Sequence, residues 1–320
     1  MSRTMKSFKA AISLLLFSSF SAIAADWPAI KSAPVGTPIP MWTGFYAGLN
    51  AGGTWGGNTQ LAINSSYAGT QNPSIGANYT GVMSALGATR NVGAGIGGFI
   101  GGGQIGYNYQ LAQRFIVGFE TDIQGISGAS ANGQSSSVVP LQGIYFPVNF
   151  QPGELFGTVV NASKSINYLG TLRGRLGFLP TQNLLVYITG GLSYGGVSSQ
   201  ASIFQVNNDL QFSGGNQAIA LYSPTWGNGS YSNSLTGWTA GGGAEWMFSQ
   251  NWSIKGEYLY YDLGAVSYST APLATTSGSN QGIFSLVIPK VSTRFNGNII
   301  RAGVNYHFNL TNFVAPITKF

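Results

Sequence analysis

From residue 44 onward, apolar and polar positions alternate in eight stretches: 44–57, 98–111, 115–128, 165–179, 183–197, 235–249, 252–268 and 295–308. A period of two predicts strands with one apolar and one polar face. At ~3.3 Å per residue and ~40° tilt, each stretch is long enough to cross the ~25 Å apolar band of an outer membrane. The connections alternate in length. Residues 112–114, 180–182 and 250–251 make three short turns, and 58–97, 129–164, 198–234 and 269–294 make four long segments. Short–long alternation predicts an all-β fold, an eight-stranded antiparallel up-and-down transmembrane β-barrel with short periplasmic turns and four long extracellular loops. An even strand number places both chain ends on the periplasmic side. The long connections are rich in Ser, Asn, Gly, Gln and Thr, as in 127–137 and 275–282, and read as solvated, mobile loops.

The alternation also sorts the charges. Arg173 and Arg175 share one face of their strand, while Leu172, Leu176 and Phe178 share the other. By the same rule Glu120 and Asp122 oppose Phe119 and Ile123, and Glu245 opposes Trp246. Lys255 and Glu257 oppose Ile254 and Tyr258, and Arg301 opposes Ile300. The polar faces therefore carry Glu120, Asp122, Glu245 and Glu257 with Arg173, Arg175, Lys255 and Arg301, a neutral set. All lie at one height, roughly 10–20 Å above the periplasmic rim. Facing lipid, each cation would cost ~2–4 kcal/mol near the midplane, so the set belongs in the lumen. Aromatic residues gather at the periplasmic strand ends: Trp42, Phe45, Tyr107, Tyr109, Phe115, Phe178, Trp246, Phe248, Trp252, Tyr306 and Phe308. They predict a headgroup girdle.

Composition narrows the setting. Charged residues make up 7% of the chain, against roughly 25% in soluble domains. Arg3, Lys6 and Lys9 precede an apolar run at 10–20 and a small-x-small site at Ala22–Ala24. This reads as a signal peptide over 1–24, cleaved before Ala25. Residues 25–43 hold four prolines and read as a periplasmic linker, followed by a barrel over 44–308 and a C-terminal extension over 309–320. Removing the leader leaves eleven basic and eight acidic residues, and no basic cluster points to nucleic acid. There is no cysteine, hence no disulfide framework or thiol nucleophile.

Catalytic chemistry finds little footing. Residues 93–98 match a dinucleotide fingerprint, but a Gly-rich strand follows where a helix is required. The one histidine, His307, falls at the periplasmic rim, and no His/Asp/Glu set has metal-ligand spacing. No catalytic, cofactor or metal residue is assigned, and the chain reads as not an enzyme.

The stretches "MWTGFYAGLNAGGTWG" (41–56), "WSIKGEYLYYDLG" (252–264) and "RAGVNYHF" (301–308) resemble the outer-membrane immunogenic proteins of alphaproteobacteria, often labelled a porin family, with an OmpA-like barrel. The resemblance implies an abundant surface protein in the outer membrane of a Gram-negative bacterium. It also implies an assembly signal read by the barrel-assembly machinery, with Gly303, Tyr306 and Phe308 as its residues. Continuation of the chain beyond Phe308 to a second terminal phenylalanine, Phe320, departs from that pattern.

The expected function is envelope integrity and surface display by a monomer in contact with outer-membrane lipid and lipopolysaccharide. In that reading the charged layer closes the lumen. Two alternatives remain open at this point. One is a small-solute pore in which the layer acts as a filter. The other is a receptor or adhesin, with haem among its ligands, using Tyr222, Trp226 and Tyr231.

Overall fold

The computed structural model describes residues 42–69, 75–140, 155–213, 216–221, 224–276 and 283–308. The leader, the linker up to residue 41, the extension at 309–320 and Tyr222 lie outside the described residues. The chain runs through β1 (Gly44–Gly56), β2 (Gln60–Gly69), α1 (Ile75–Ala88), β3 (Arg90–Gly93), β4 (Gly97–Leu111), β5 (Phe115–Ser127) and β6 (Ser130–Pro140). It continues through β7 (Leu155–Thr181), β8 (Leu184–Ser213), β9 (Asn216–Leu221), β10 (Thr225–Met247), β11 (Trp252–Ser269), β12 (Leu273–Thr276) and β13 (Ile283–His307).

Antiparallel pairing follows β1-β4-β5-β7-β8-β10-β11-β13, and β1 pairs β13 to close the ring. Eight strands therefore encircle the lumen. Closure leaves no edge, as a lipid-embedded sheet requires. Tight turns at 112–114 and 182–183 join β4 to β5 and β7 to β8.

The outer wall is apolar in the middle, with Leu49, Ile105, Ile123, Leu172, Ile188 and Ile300 all strongly exposed. Aromatic rings bound this zone on both sides. Phe45, Phe115, Phe178, Trp246 and Trp252 face outward at the periplasmic end, and Trp55, Phe99 and Trp238 at the other. The sequence reading placed Trp42 in the lower girdle, and the structure corrects this. Trp42 is 1% exposed, turned inward under the barrel. Its indole N–H donates to the Gln182 carbonyl at 2.9 Å.

The long connections also differ from expectation. Much of 58–97, 129–164, 198–234 and 269–294 is ordered strand or helix. β7, β8, β10, β11 and β13 run far past the upper aromatic ring, β2 joins the upper part of β13, and β6 joins the upper part of β7. The expected mobile loop at 127–137 is mostly β6, and residues 277–282 lie outside the described residues. The reason is burial. Inward positions of these polar segments are apolar, including Leu61, Ile63, Val160, Ile203, Val287, Val291 and Phe295, and they form one contiguous core above the membrane zone. Polar residues take the alternate, outward positions, so composition alone reads as loop.

Helix α1 packs on this core. Ala85 and Ala88 are buried in it. The Ser84 hydroxyl donates to Gln205 Oε1 at 2.6 Å, and Gln205 Nε2 donates back to the Ser84 carbonyl at 2.9 Å. The helix ends where Thr89 turns its hydroxyl onto the Ala85 carbonyl and Arg90 Nε donates to the Gly87 carbonyl at 3.2 Å. A cation there suits the negative end of the helix dipole.

Candidate functional site

The eight charged residues singled out above all point into the lumen. Cross-strand register sets up part of the pairing, since Glu120 stands opposite Arg173, Glu257 opposite Arg301 and Glu245 opposite Lys255. Arg173 occupies the centre. Its Nη2 donates to Glu120 at 2.5 Å and Asp122 at 2.9 Å, and Nη1 donates to Glu257 at 2.8 Å. Arg301 donates to Glu257 through Nε at 2.8 Å and Nη2 at 2.6 Å, and to Asp122 at 2.8 Å. Lys255 does not bond its register partner. It reaches across the lumen to both oxygens of Glu120, at 2.8 and 2.9 Å. Arg175 pairs with Glu245 at 2.8 Å.

Uncharged residues complete the layer. The Tyr46 hydroxyl accepts from Arg175 at 2.6 Å and donates to Glu120 at 2.7 Å. The Arg175 guanidinium lies 3.9 Å from the centre of the Tyr187 ring. Asn305 and Ser253 both donate to Glu245, at 2.7 and 2.6 Å. Gln104 then bridges Asn305 to Asn50. Glycines make room for the rings, since a Cβ at Gly106 would stand 2.4 Å from the Tyr46 ring and one at Gly243 2.8 Å from the Tyr187 hydroxyl.

Sequence reasoning missed Tyr46, Tyr187 and Gln104. Their strands carry no charge in the membrane zone to mark which face is inward. The pairing register with a charged neighbour supplies that phase, through β13 for Tyr46 and β10 for Tyr187.

Ser253, His307 and Glu245 meet at the lower edge of the layer. A nucleophilic triad holds the acid on one ring nitrogen of histidine and the serine on the other. Here both serine and glutamate lie on Nε2, at 2.9 and 3.3 Å, and the serine proton goes to Glu245. All three are buried, with Trp42 edge-on to the imidazole at 5.7 Å. This is a structural cluster, not a relay. Among the described residues, no group of His, Asp and Glu has the geometry of a metal site.

Buried apolar side chains lie on both sides of the layer. Below it, Trp42, Ile116, Leu179, Leu185, Tyr187 and Met247 pack together. Above it begins the apolar core that α1 covers. Gly303 sits in β13 within register of β1 and β11, while Tyr306 and Phe308 face outward with ring centres 5.1 Å apart. Of the loop aromatics, Trp226 is exposed on β10 and Tyr231 stacks on Tyr268.

A further buried cation lies above the membrane zone. Lys164 on β7 is buried, and its ammonium donates to the carbonyls of Asn58 at 2.6 Å and Arg294 at 3.3 Å. Burial pushes its pKa down to about 8. The unfolded chain, with the ordinary lysine value, binds this proton more tightly. Stability of the extracellular part should therefore rise as pH increases from about 8 toward ~10.5. Hydrogen exchange across that range is expected to show the rise in the natural protein and a smaller one in Lys164→Met. Equal pH dependence in both would refute it.

Comparison with known proteins agrees with this architecture. Residues 12–308 match the family described as outer membrane protein beta-barrel domain. The chain is 32% identical over 293 residues to the 31 kDa outer-membrane immunogenic protein of Brucella melitensis, covering 90% of this chain and 94% of that one. The Brucella suis protein of the same name matches equally. Among solved structures, OprG of Pseudomonas aeruginosa aligns over 83% of this chain and 97% of its own at 12% identity, with a TM-score of 0.32. That score is too low to carry an inference. Family match and Brucella relatives together make this chain a member of the outer membrane protein beta-barrel domain family, resident in the outer membrane of a Gram-negative bacterium.

Proposed function

We propose that the protein is a closed barrel that supports envelope integrity and displays its extracellular sheet at the cell surface, and that it conducts no solute and catalyses no reaction. The observation that carries this reading is the ion-pair network. Four acids and four bases from β5, β7, β10, β11 and β13 interlock across the lumen with side chains 0–2% exposed. An eight-stranded barrel has an interior just wide enough for side chains to fill. Each carboxylate is held by a cation, which leaves none free for acid–base work.

In this reading the protein is a monomer that contacts outer-membrane lipid and lipopolysaccharide through its wall. The outward pair Tyr306 and Phe308, with Gly303, is the segment read by the barrel-assembly machinery. Purified protein in planar bilayers is expected to give no stable conductance step. A steady ohmic conductance in the natural protein would replace this reading with the solute pore.

A further inference from the structure

Above the upper aromatic ring, β6, β7, β8 and β10 lie side by side and turn one face outward. Register aligns their side chains into rows across the strands. One row is Asn132, Ser163, Gln200 and Ser230. The next, farther from the membrane, is Gln134, Asn161, Ser202 and Asn228. These rows line a shallow open depression of about 740 Å³, and no lining residue is charged. Among the described residues, none of the eight side chains takes part in an internal hydrogen bond. The row beyond them brings Phe204 and Trp226 together, with ring centres 5.3 Å apart and Trp226 59% exposed.

We propose that this face holds a neutral saccharide chain of the surrounding lipopolysaccharide. Amides and hydroxyls both donate and accept, and so do the hydroxyls of a sugar. The absence of any Lys or Arg leaves a phosphate or carboxylate without a partner, so the ligand is uncharged. The Phe204–Trp226 pair offers an apolar platform beside the hydrogen-bonding rows, and a pyranose has an apolar C–H face beside a polar rim. Strands ~4.8 Å apart place one polar handle at each step across the sheet, near the repeat of a linked pyranose chain. A protein partner fits less well, because interface cores favour Met, Arg and aromatics and are depleted in Ser.

The location selects the source. The face belongs to the extracellular part of the barrel wall, its two rows eight and ten residues along β8 from Leu192, the register partner of Trp238, at a height that the outer leaflet's saccharide chains reach and its lipid headgroups do not. This inference rests on the lipopolysaccharide contact proposed above and narrows it to uncharged sugars.

The test uses the full protein in phospholipid nanodiscs. The probes are neutral polysaccharide released by mild acid from the producing bacterium's lipopolysaccharide, its phosphorylated core–lipid A fraction, and a soluble sialylated oligosaccharide. Calorimetric titration is expected to show saturable binding of the neutral polysaccharide. Trp226→Ala and the double variant Asn161→Ala/Gln200→Ala should each weaken it about tenfold. Both variants change exposed side chains, and an unaltered heat-shifted gel band checks that they fold. Failure of the natural protein to bind, or equal binding by the variants, overturns the proposal. Binding of the core–lipid A fraction alone also overturns it, while leaving the general lipopolysaccharide contact standing. Preference for the sialylated probe would assign the face to foreign glycans instead.

Discussion

Arg173→Leu is expected to lower the temperature at which the folded gel band converts to the unfolded one by about 10 °C, from a loss of ~3–5 kcal/mol for a broken buried ion pair at ~2–4 °C per kcal/mol in a chain of this size. The physical reason is the number of charges that Arg173 serves. Its guanidinium touches Glu120, Asp122 and Glu257, all with side chains 0–1% exposed. Leucine fills part of the volume but leaves four acids facing three bases in a space without bulk water. The double variant Arg173→Leu/Asp122→Asn restores neutrality and should recover part of the loss. Asp122 is the right partner to neutralise because Glu120 also binds Lys255, whereas Asp122 is held otherwise by Arg301 and uncharged groups. If Arg173→Leu converts at the natural temperature while conductance rises, the layer is a filter and not a structural seal.

The charged layer was legible because charge is scarce. In a chain with 7% charged residues, a pair such as Arg173 and Arg175 inside an apolar stretch has one tolerable direction, and alternation then fixes the face of every neighbour. Each membrane strand was found within a few residues at its periplasmic end, where aromatic rings and tight turns mark the boundary. The extracellular ends were not. Around Ser198–Gln205, for instance, outward Ser, Gln and Ser alternate with inward Val197, Ala201 and Ile203, and the polar half dominates the composition. Small buried residues weaken the alternation further, since Ala129, Ala131, Ala162 and Ala201 carry little apolar signal. Helix α1 was invisible for a related reason. Its sequence, "IGANYTGVMSALGA", holds three glycines, Gly76, Gly81 and Gly87, and has no acidic residue in the first turn and no basic residue in the last. Packing on the barrel's upper core selects the helix, not intrinsic propensity.

Lower and upper halves of the barrel are stabilised by different physics, and a single core truncation separates them. Phe295→Ala removes a fully buried ring from the apolar core above the charged layer. Loss of a buried phenylalanine costs ~3–5 kcal/mol, through lost transfer energy and the cavity left behind. Phe295 lies at the irregular step of β13 between Asn296 and Arg294, where the register with β11 shifts, so the ladder there has little capacity to compensate. The Lys164 ammonium, 5.7 Å from the ring centre, loses an apolar and weakly attractive neighbour as well. None of the ion pairs of the lumen layer involves this residue. The expected outcome is local opening. Added protease should cut the upper strands of Phe295→Ala and spare the natural protein, and amide exchange should quicken in β2, α1 and the upper part of β13. The heat-shifted gel band of the membrane-embedded part should persist in both. If the band disappears together with the protease resistance, the extracellular upper strands and the membrane barrel form one cooperative unit. The apolar core is then as necessary to insertion as the buried charges.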